Sequence, residues 1–272
     1  MTLKGSGLGL RRGLMDQLAD LNDQDVDFLE VAPENWIGVG GRLGKAFSAF
    51  TERFPFACHG LSLSIGSQDP LDVSFVKDVK NFLDSHNIET YSEHLSYCSH
   101  EGHLYDLMPM PFTLPAAKYV AQRITQVQDI LQRPLIMENV STYASPGQEM
   151  SELDFLLEVV RLSDCKILLD VNNVFVNSTN HGFNAEHYIQ SIPSEKIEYL
   201  HIAGHFDEAP DLLVDTHGAS VKSQVWELLK HTYSCHGVLP TLLERDFNFP
   251  ATHELLDEIN QIKYHQQAVH NE

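Results

Sequence analysis

Basic residues are scarce in this chain: 18 Lys and Arg stand against 38 Asp and Glu in 272 residues, a formal net charge of −20. A surface field of that sign repels phosphate backbones and anionic membranes, which disfavours nucleic-acid binding. Cysteine is also rare. Its four copies lie far apart without a C-x-x-C pair, so neither a thiolate zinc site nor a disulfide framework is indicated.

Long apolar runs are missing as well. No stretch reaches the roughly 18 residues that span a bilayer, and the N-terminal segment lacks the apolar core of a signal peptide. We therefore expect a cytoplasmic protein without a membrane partner.

What the chain does contain is one pattern repeated eight times, in which a short apolar or β-branched run is followed by a loop and a segment with helical spacing. The runs lie at residues 7–11, 27–33, 54–64, 89–97, 134–140, 166–174, 197–203 and 240–246. Helical spacing recurs at residues 14–21, 41–54, 73–85, 116–131, 152–162, 185–192, 220–233 and 252–264. This alternation predicts parallel strands joined by right-handed crossovers.

A (β/α)8 TIM barrel, forming a single domain over residues 1–272, accounts for both the strand count and the length. An open doubly wound sheet is the rival architecture, but Gly7 and Gly9 lack the third glycine of a dinucleotide-binding turn. Two long loops, at residues 99–115 and 204–219, follow predicted strand ends, where barrel enzymes place lids and substrate contacts.

Metal-ligating residue types stand at the carboxyl ends of the predicted strands, which converge on one mouth in a barrel. They are His59, His94, Glu138, Asp170, His201 and Glu244, with Asn173, Asp215 and His217 in the segments that follow. One such residue alone would more often be an ordinary hydrogen-bonded side chain. So many together, without a lysine at the strand ends, predict two or three ions bridged by carboxylates. Imidazole and carboxylate ligands suit iron, manganese or zinc.

Other polar residues near these strand ends are candidates for catalysis and substrate binding. We predict Glu138 as a bridging carboxylate and Asp246, two residues beyond Glu244, as a second catalytic residue. Arg11, Asn35 and His205 are candidates for substrate binding. For Arg11 the alternative is a simple ion pair, and for Asn35 it is a turn cap.

Ten spaced motifs carry a resemblance to a known family, and they cover nearly the full length. They are GLGLRRGL (7–14), FLEVAPENW (28–36), HGLSLSIGS (59–67), SEHLSY (92–97), MPMPFT (108–113), MENVSTY (137–143), LDVNNVFVNS (169–178), HIAGH (201–205), DTHG (215–218) and LLERD (242–246). These motifs resemble those of the multinuclear non-haem iron-dependent oxidative enzymes, whose type member is the oxidase of methanobactin biosynthesis.

The resemblance implies a TIM barrel that holds two or three iron ions (Fe2+/Fe3+) and uses O2 as a co-substrate. Such enzymes oxidise cysteine residues of a ribosomally made precursor peptide, which a small partner protein recognises, to an oxazolone and thioamide, a thiooxazole or a related product. The resemblance assigns ligand positions to His59, His94, Glu138, Asp170, His201, Asp215, His217 and Glu244. Asn173 stands where some relatives have a histidine, and an amide oxygen is a weaker ligand.

Three other functions remain open on the residues alone. The order of ligands also permits a zinc-dependent phosphodiesterase of the endonuclease IV kind, although the net charge opposes DNA binding. A divalent-metal sugar isomerase commonly needs a lysine near the metal, and the predicted strand ends carry none. A non-catalytic metal- or peptide-binding scaffold is the third alternative.

Overall fold

The computed structural model describes residues 3–269. Within that range the strands are β1 (Ser6–Gly9), β2 (Phe28–Val31), β3 (Phe56–Gly60), β4 (Thr90–His94), β5 (Tyr97–Ser99), β6 (His103–Met108), β7 (Ile136–Glu138), β8 (Lys166–Asp170), β9 (Ile197–Ile202), β10 (His205–Ala209), β11 (Leu212–Asp215) and β12 (Thr241–Leu243). The α-helices are α1 (Gly41–Thr51), α2 (Val73–Ser85), α3 (Leu114–Leu131), α4 (Glu152–Ser163), α5 (Val171–His181), α6 (Ala185–Gln190), α7 (Ser223–His236) and α8 (Thr252–Val269).

Eight of these strands form a closed parallel barrel in the order β1-β12-β9-β8-β7-β4-β3-β2. Each strand pairs with its neighbour along the chain, and β1 closes the barrel by pairing with β12. The predicted TIM barrel is therefore confirmed. The strands are shorter than the predicted runs, since several runs continue into the loops of the mouth. Among the described residues, no helix is long and apolar enough to cross a membrane.

The barrel interior has an apolar floor. Leu3, Phe28, Ala57, Ile136, Leu168, Tyr199 and Leu242 form one buried cluster there. A larger second cluster fills the layer between the barrel and its helices. Because side chains alternate along a strand, the residue two positions beyond each floor residue also points inward, one layer nearer the mouth. That layer holds the functional side chains described below.

Three parts of the chain depart from the predicted secondary structure. Residues 14–21 form turns after a short 3-10 segment, Arg12–Leu14, instead of a helix. The predicted strand at 166–174 ends at Asp170, where α5 begins. Both predicted long loops contain two-stranded antiparallel sheets, β5 with β6 and β10 with β11.

Helix α5 begins where it does because the Asp170 side chain caps it, accepting a hydrogen bond from the backbone N–H of Asn173 at 2.6 Å. At its other end, Asn180 makes two hydrogen bonds to Leu213 of β11: its Nδ2 donates to the carbonyl at 2.9 Å, and its Oδ1 accepts from the N–H at 2.8 Å. The helix therefore joins the barrel mouth to the β10–β11 hairpin.

Candidate metal centre

The inward layer above the apolar floor consists of polar and ionisable side chains. Each of five side chains in this layer stands two positions after a residue of the apolar floor. The pairs are Ala57 and His59, Ile136 and Glu138, Leu168 and Asp170, Tyr199 and His201, and Leu242 and Glu244. His94 ends β4, while Asp215 and His217 come from the hairpin after β9 and the turn beyond it. All of these side chains except His94, Asp215 and His217 are buried.

Three groups of side chains have geometry suited to a metal ion, and they share members. The groups are His59 with His94 and Glu138, Glu138 with Asp170 and His201, and Asp170 with His217 and Glu244. Within each group the ligand atoms lie within 4.8 Å of one another. Glu138 and Asp170 each belong to two groups, which is the arrangement expected of carboxylates that bridge neighbouring ions.

In the first group, two ring nitrogens and one carboxylate oxygen face each other. His59 Nε2 lies 3.0 Å and His94 Nε2 3.3 Å from Glu138 Oε2, and the two nitrogens are 3.1 Å apart. The far nitrogens of both rings are occupied, because His59 Nδ1 contacts Ser92 Oγ at 2.7 Å and His94 Nδ1 contacts the Gly60 carbonyl at 3.0 Å. Both rings are thus oriented with Nε2 toward the shared carboxylate.

The other groups lie toward β9 and β12, through His201 and Glu244. His201 Nδ1 is 3.1 Å from Glu244 Oε2 and 4.0 Å from Glu138 Oε1. His217 Nε2 is 2.6 Å from Asp215 Oδ1, and its Nδ1 lies 3.4 Å from Glu244 Oε2. The nine predicted ligands are therefore brought together at one mouth. Two of them belong to none of the three groups: Asp215 contacts His217, and Asn173 contacts Glu138.

Buried atoms without hydrogen-bond partners mark this centre. Nine such side-chain atoms occur among residues 3–269, and five of them are Glu138 Oε2, Asp170 Oδ2, Asn173 Oδ1, His201 Nδ1 and His217 Nε2. Three of these five, in Glu138, His201 and His217, lie within 3.1 Å of a neighbouring ligand atom but outside hydrogen-bond geometry. An unsatisfied buried polar atom costs about 1–3 kcal/mol, so a bound cation would stabilise the set. The residues present therefore fit metal ions.

The pKa values of the ligand side chains are shifted strongly by burial and by one another. Burial alone would lower the pKa of His59, but Glu138 and Glu30 outweigh it and raise that pKa to about 9. Burial and the neighbouring His59 lower the pKa of His94 to about 4. Burial, Glu138 and Asp215 raise the pKa of Asp170 to about 8. The pKa values of His59 and His94 thus shift in opposite directions, although both residues are histidines. Such opposite shifts are typical of closely packed ionisable groups whose charges protons alone do not neutralise.

The side-chain amide of Asn173 contacts the ligand Glu138. Its Nδ2 donates to Glu138 Oε1 at 3.3 Å and to the Asn139 carbonyl at 3.0 Å, which leaves Oδ1 unpartnered in the cavity. The reverse orientation would set Oδ1 against two acceptors. The structure therefore offers an amide oxygen at the position where the resemblance implies a weaker ligand.

A cavity of about 450 Å³ opens above these ligands. Arg11, Asn35 and Asp246 line it. Arg11 donates to Glu244 and Asp246, both at 2.7 Å, so the ion-pair alternative describes its contacts here. Asn35 is exposed, and its carbonyl accepts a hydrogen bond from Arg12.

His205 lies outside the cavity lining. Its ring is 1% exposed, stacks on Phe175 and contacts Asn172 Oδ1 at 2.8 Å through Nδ1. Asn172 Nδ2 in turn donates to Asp215 Oδ1 at 2.9 Å. The place predicted for a substrate contact is therefore occupied by a ring that orients Asn172 and, through it, Asp215.

Sequence reasoning missed Glu30, which is fully buried in the inward layer. It follows the floor residue Phe28 by two positions, the same spacing that separates Ala57 from His59. That register was the signal that could have found it. Its contacts are to His201 and Tyr199, on the side of the His201 ring away from Glu138.

Apolar side chains surround the mouth. Of the ten large hydrophobic residues exposed in the described chain, seven lie on segments that follow barrel strands: Leu61, Leu104, Tyr105, Tyr143, Phe206, Leu212 and Phe247. Tyr105 is 89% exposed at the β5–β6 hairpin. Concentrated exposure of this kind is typical of an interaction surface. We call these seven residues the apolar rim.

Comparison with protein families matches residues 5–267 to the RiPP precursor modification enzymes MbnB/TglH/ChrH, in which RiPP denotes a ribosomally made and modified peptide. The chain belongs to this family. The resemblance seen in the motifs is thereby confirmed, and membership implies an enzyme that acts on a peptide.

Relatives in the family extend over almost the whole chain. The chain is 60% identical over 263 residues to a UPF0276 protein of Shewanella sediminis, covering 97% of this chain and 95% of that one. It is 55% identical over 261 residues to the UPF0276 protein PA3283 of Pseudomonas aeruginosa, covering 96% and 92%.

Solved structures with the same fold are much more distant in sequence. A 3-keto-D-glucoside 4-epimerase from E. coli has a TM-score of 0.65 at 12% identity, covering 96% of this chain and all of that one. Endonuclease IV from Thermus thermophilus has a TM-score of 0.60 at 12% identity, covering 97% and 99%. At such identity the likeness shows the barrel fold alone.

Proposed function

We propose that this protein is a multinuclear non-haem iron oxidase that uses O2 to modify cysteine residues of a ribosomally made precursor peptide. The observation that carries the proposal is the set of three adjoining ligand groups that share Glu138 and Asp170 at the base of an open cavity. Family membership supports the peptide substrate.

The ligand set favours redox-active ions of intermediate hardness. Imidazole and carboxylate without thiolate is the donor set of non-haem iron sites. Iron bound there would supply O2 activation and would hold the substrate thiolate. The residues that would bind the ions are His59, His94, Glu138, Asp170, His201, His217 and Glu244. Asp215, beside His217, and Asn173, beside Glu138, would complete the set.

Asp246 is the protein group best placed to accept a proton from the substrate. Its carboxylate is 40% exposed toward the cavity and lies 3.2 Å from His217 Nδ1 and 2.6 Å from Arg11 Nη2. Burial and Glu244 would raise the pKa of Asp246, but His217 and Arg11 outweigh them and lower it. An ionised carboxylate beside the ions can therefore accept a hydrogen bond from a thiol or backbone amide of the substrate, and it can take the proton of a thiol that a bound ion would make more acidic.

The apolar rim supports a peptide substrate and a small partner protein that presents it. Two hairpins carry four of its seven residues, so the rim stands out beyond the barrel mouth. A peptide passing over such a surface could bury apolar area while one cysteine descends to the ions. We further propose that this takes place in the cytoplasm.

The arrangement of charge disfavours a phosphodiesterase. Two arginines, Arg11 and Arg12, occur among the described lining residues, and both are already engaged. Arg11 binds two carboxylates and Arg12 binds a backbone carbonyl. A DNA phosphate would therefore enter a cavity with no uncommitted arginine.

The test is oxygen-free purification with Fe2+, followed by metal analysis and by reaction with the Cys-containing peptide encoded beside the gene. We expect two to three irons per chain, peptide-dependent O2 consumption, and a mass change confined to cysteine residues. Glu138→Gln should abolish the reaction, whereas Glu149→Gln, at an exposed position away from the cavity, should preserve it.

Two results would contradict the proposal. One is tight stoichiometric zinc with cleavage of abasic DNA, which is the endonuclease outcome. The other is metal-loaded protein that binds the peptide without consuming O2, which is the scaffold outcome.

A further inference from the structure

A chain of hydrogen bonds runs beneath the metal centre and connects two of its histidines. Glu30 lies at one end, fully buried inside the barrel. Tyr199 OH is 2.7 Å from Glu30 Oε2, Ser92 Oγ is 2.6 Å from Tyr199 OH, and His59 Nδ1 is 2.7 Å from Ser92 Oγ. Glu30 also contacts Nε2 of His201 at 3.2 Å.

The direction of every proton in this chain follows from its one carboxylate. An ionised carboxylate only accepts hydrogen bonds, so Tyr199 donates its single proton to Glu30. The 2.6 Å contact between Ser92 and Tyr199 then requires Ser92 to donate. The alternative acceptor for Ser92, the Cys58 carbonyl, is farther away at 3.4 Å.

With its own proton committed, Ser92 accepts from His59. When an ion displaces the proton on Nε2, which faces Glu138 and His94, the proton that His59 keeps therefore sits on Nδ1 and is donated to Ser92. His201 lies between two carboxylates, with Nε2 3.2 Å from Glu30 and Nδ1 3.1 Å from Glu244. When an ion displaces the proton on Nδ1, the proton that His201 keeps sits on Nε2 and is donated to Glu30.

We propose that Glu30 is a positioning residue that fixes the tautomers of His59 and His201 together, so that each presents the correct nitrogen to a different metal ion. The inference rests on the metal centre of the proposed function but not on the reaction. Ligand histidines generally donate their second N–H to a carboxylate or carbonyl, and loss of that partner weakens metal binding about 10- to 100-fold. Here one carboxylate serves two such rings.

Three conservative variants separate this role from simple packing. Glu30→Gln keeps the shape but replaces one accepting oxygen by a donor, so His201 or Tyr199 loses its acceptor. Tyr199→Phe and Ser92→Ala break the chain between Glu30 and His59 and leave the contact of Glu30 with His201 intact. His59→Gln and His201→Gln serve as references that assign each binding step to an ion.

The experiment titrates metal-free protein with Co2+ in competition with a chelator and follows the d–d absorption bands. We expect Glu30→Gln to weaken by about 10- to 100-fold the step of the ring that loses its acceptor, either His201 directly or His59 through Tyr199, and to shift the bands of that step. Tyr199→Phe and Ser92→Ala should weaken the His59 step alone. Thermal unfolding of the metal-free variants shows whether each one folds.

Two outcomes overturn the inference. Affinity for both ions within twofold of wild type in folded Glu30→Gln would remove its role. Equal loss at both steps in all three variants would show a general effect on the barrel interior. If Glu30→Gln does not fold, Tyr199→Phe and Ser92→Ala still test the inference, because it requires weaker binding at the His59 step and unchanged binding at the His201 step. Because the readout is ion binding, failure of peptide oxidation would leave this result unaffected.

Discussion

Loading the metal-free protein with metal ions should release about four protons per chain at pH 7, because ions displace protons from their ligands. The pKa of His59 is raised to about 9, chiefly by Glu138 against the opposing effect of burial. The pKa values of His201 and His217 are raised well above the usual range by Glu30, Glu244 and Asp215, which likewise outweigh burial. These three rings are therefore cationic before loading.

Asp170 supplies the fourth proton. Burial, Glu138 and Asp215 raise its pKa to about 8, so it is roughly nine-tenths protonated at pH 7. His94 contributes none, since burial and His59 lower its pKa to about 4. Because protons and ions compete for the same atoms, apparent affinity should rise with pH across the range of about pH 8 to 9, where Asp170 and then His59 lose their protons.

Calorimetric titration with Zn2+ in two buffers of different ionisation enthalpy measures the number of protons released. His59 and His94 provide a matched pair, because both face Glu138 Oε2 in the same ligand group. His94→Gln should leave the number unchanged, whereas His59→Gln should lower it by up to one. Release of fewer than two protons by the wild type, or equal effects of the two variants, would refute the charge assignment.

Three further predictions follow from other parts of the structure. Burial raises the pKa of Glu152 to about 7, so ionisation of this carboxyl lowers the free energy of unfolding as pH rises from about 4.5 to 7. In urea unfolding, Glu152→Gln should be as stable as wild type at pH 4 and more stable by up to about 3 kcal/mol at pH 8. A difference in stability that does not depend on pH would contradict this. Asn173→His places a stronger ligand where Oδ1 is unpartnered and should increase the number of tightly bound ions; unchanged stoichiometry would show that this position faces no ion. Tyr105→Ser with Phe206→Ser removes two members of the apolar rim and should raise KM for the peptide several-fold at unchanged metal content; an equal loss in kcat with unchanged KM would place the effect elsewhere.

Periodic and capped segments were predictable from the sequence. Helix α2 was predicted at 73–85 and is found at Val73–Ser85, because its amphipathic spacing is strong and Asp72 accepts a hydrogen bond from the Phe75 N–H. The ligand positions were visible for a similar reason. Burying an ionisable side chain at the end of an apolar strand is unfavourable unless another group or an ion binds it, so such a residue stands out in the sequence.

Helix α5 could not be predicted from local sequence. Val174, Phe175 and Val176 form a β-branched and aromatic run that suggests a strand, and asparagines at 172, 173 and 177 disfavour a helix interior. The helix forms because tertiary partners satisfy those amides: Asn173 donates to Glu138 and Asn177 donates to the Val140 carbonyl. Both partners come from the segment around β7, far away in sequence.

The hairpins of the mouth were missed because their strands are polar, short and mostly exposed. Glu30 was missed for a different reason. Its strand reads FLEV, where the acid interrupts an apolar run instead of ending it. Only the register of the floor residues, which the closed barrel sets, distinguishes it from a surface glutamate.

The two oxygens of Asp170 belong to different parts of the molecule. Oδ1 holds the first turn of α5, while Oδ2 is one of the unpartnered atoms that face the metal centre. The far end of the same helix holds the β10–β11 hairpin through Asn180, at a distance of about 16 Å for 11 residues. Loss of an ion would thus change the surroundings of Asp170 at the start of α5, and the other end of that helix contacts the hairpin that carries part of the apolar rim. One helix thus connects an ion-facing carboxylate to the entrance, and we expect a protein stripped of its ions to have a less ordered β10–β11 hairpin as well as an inactive centre.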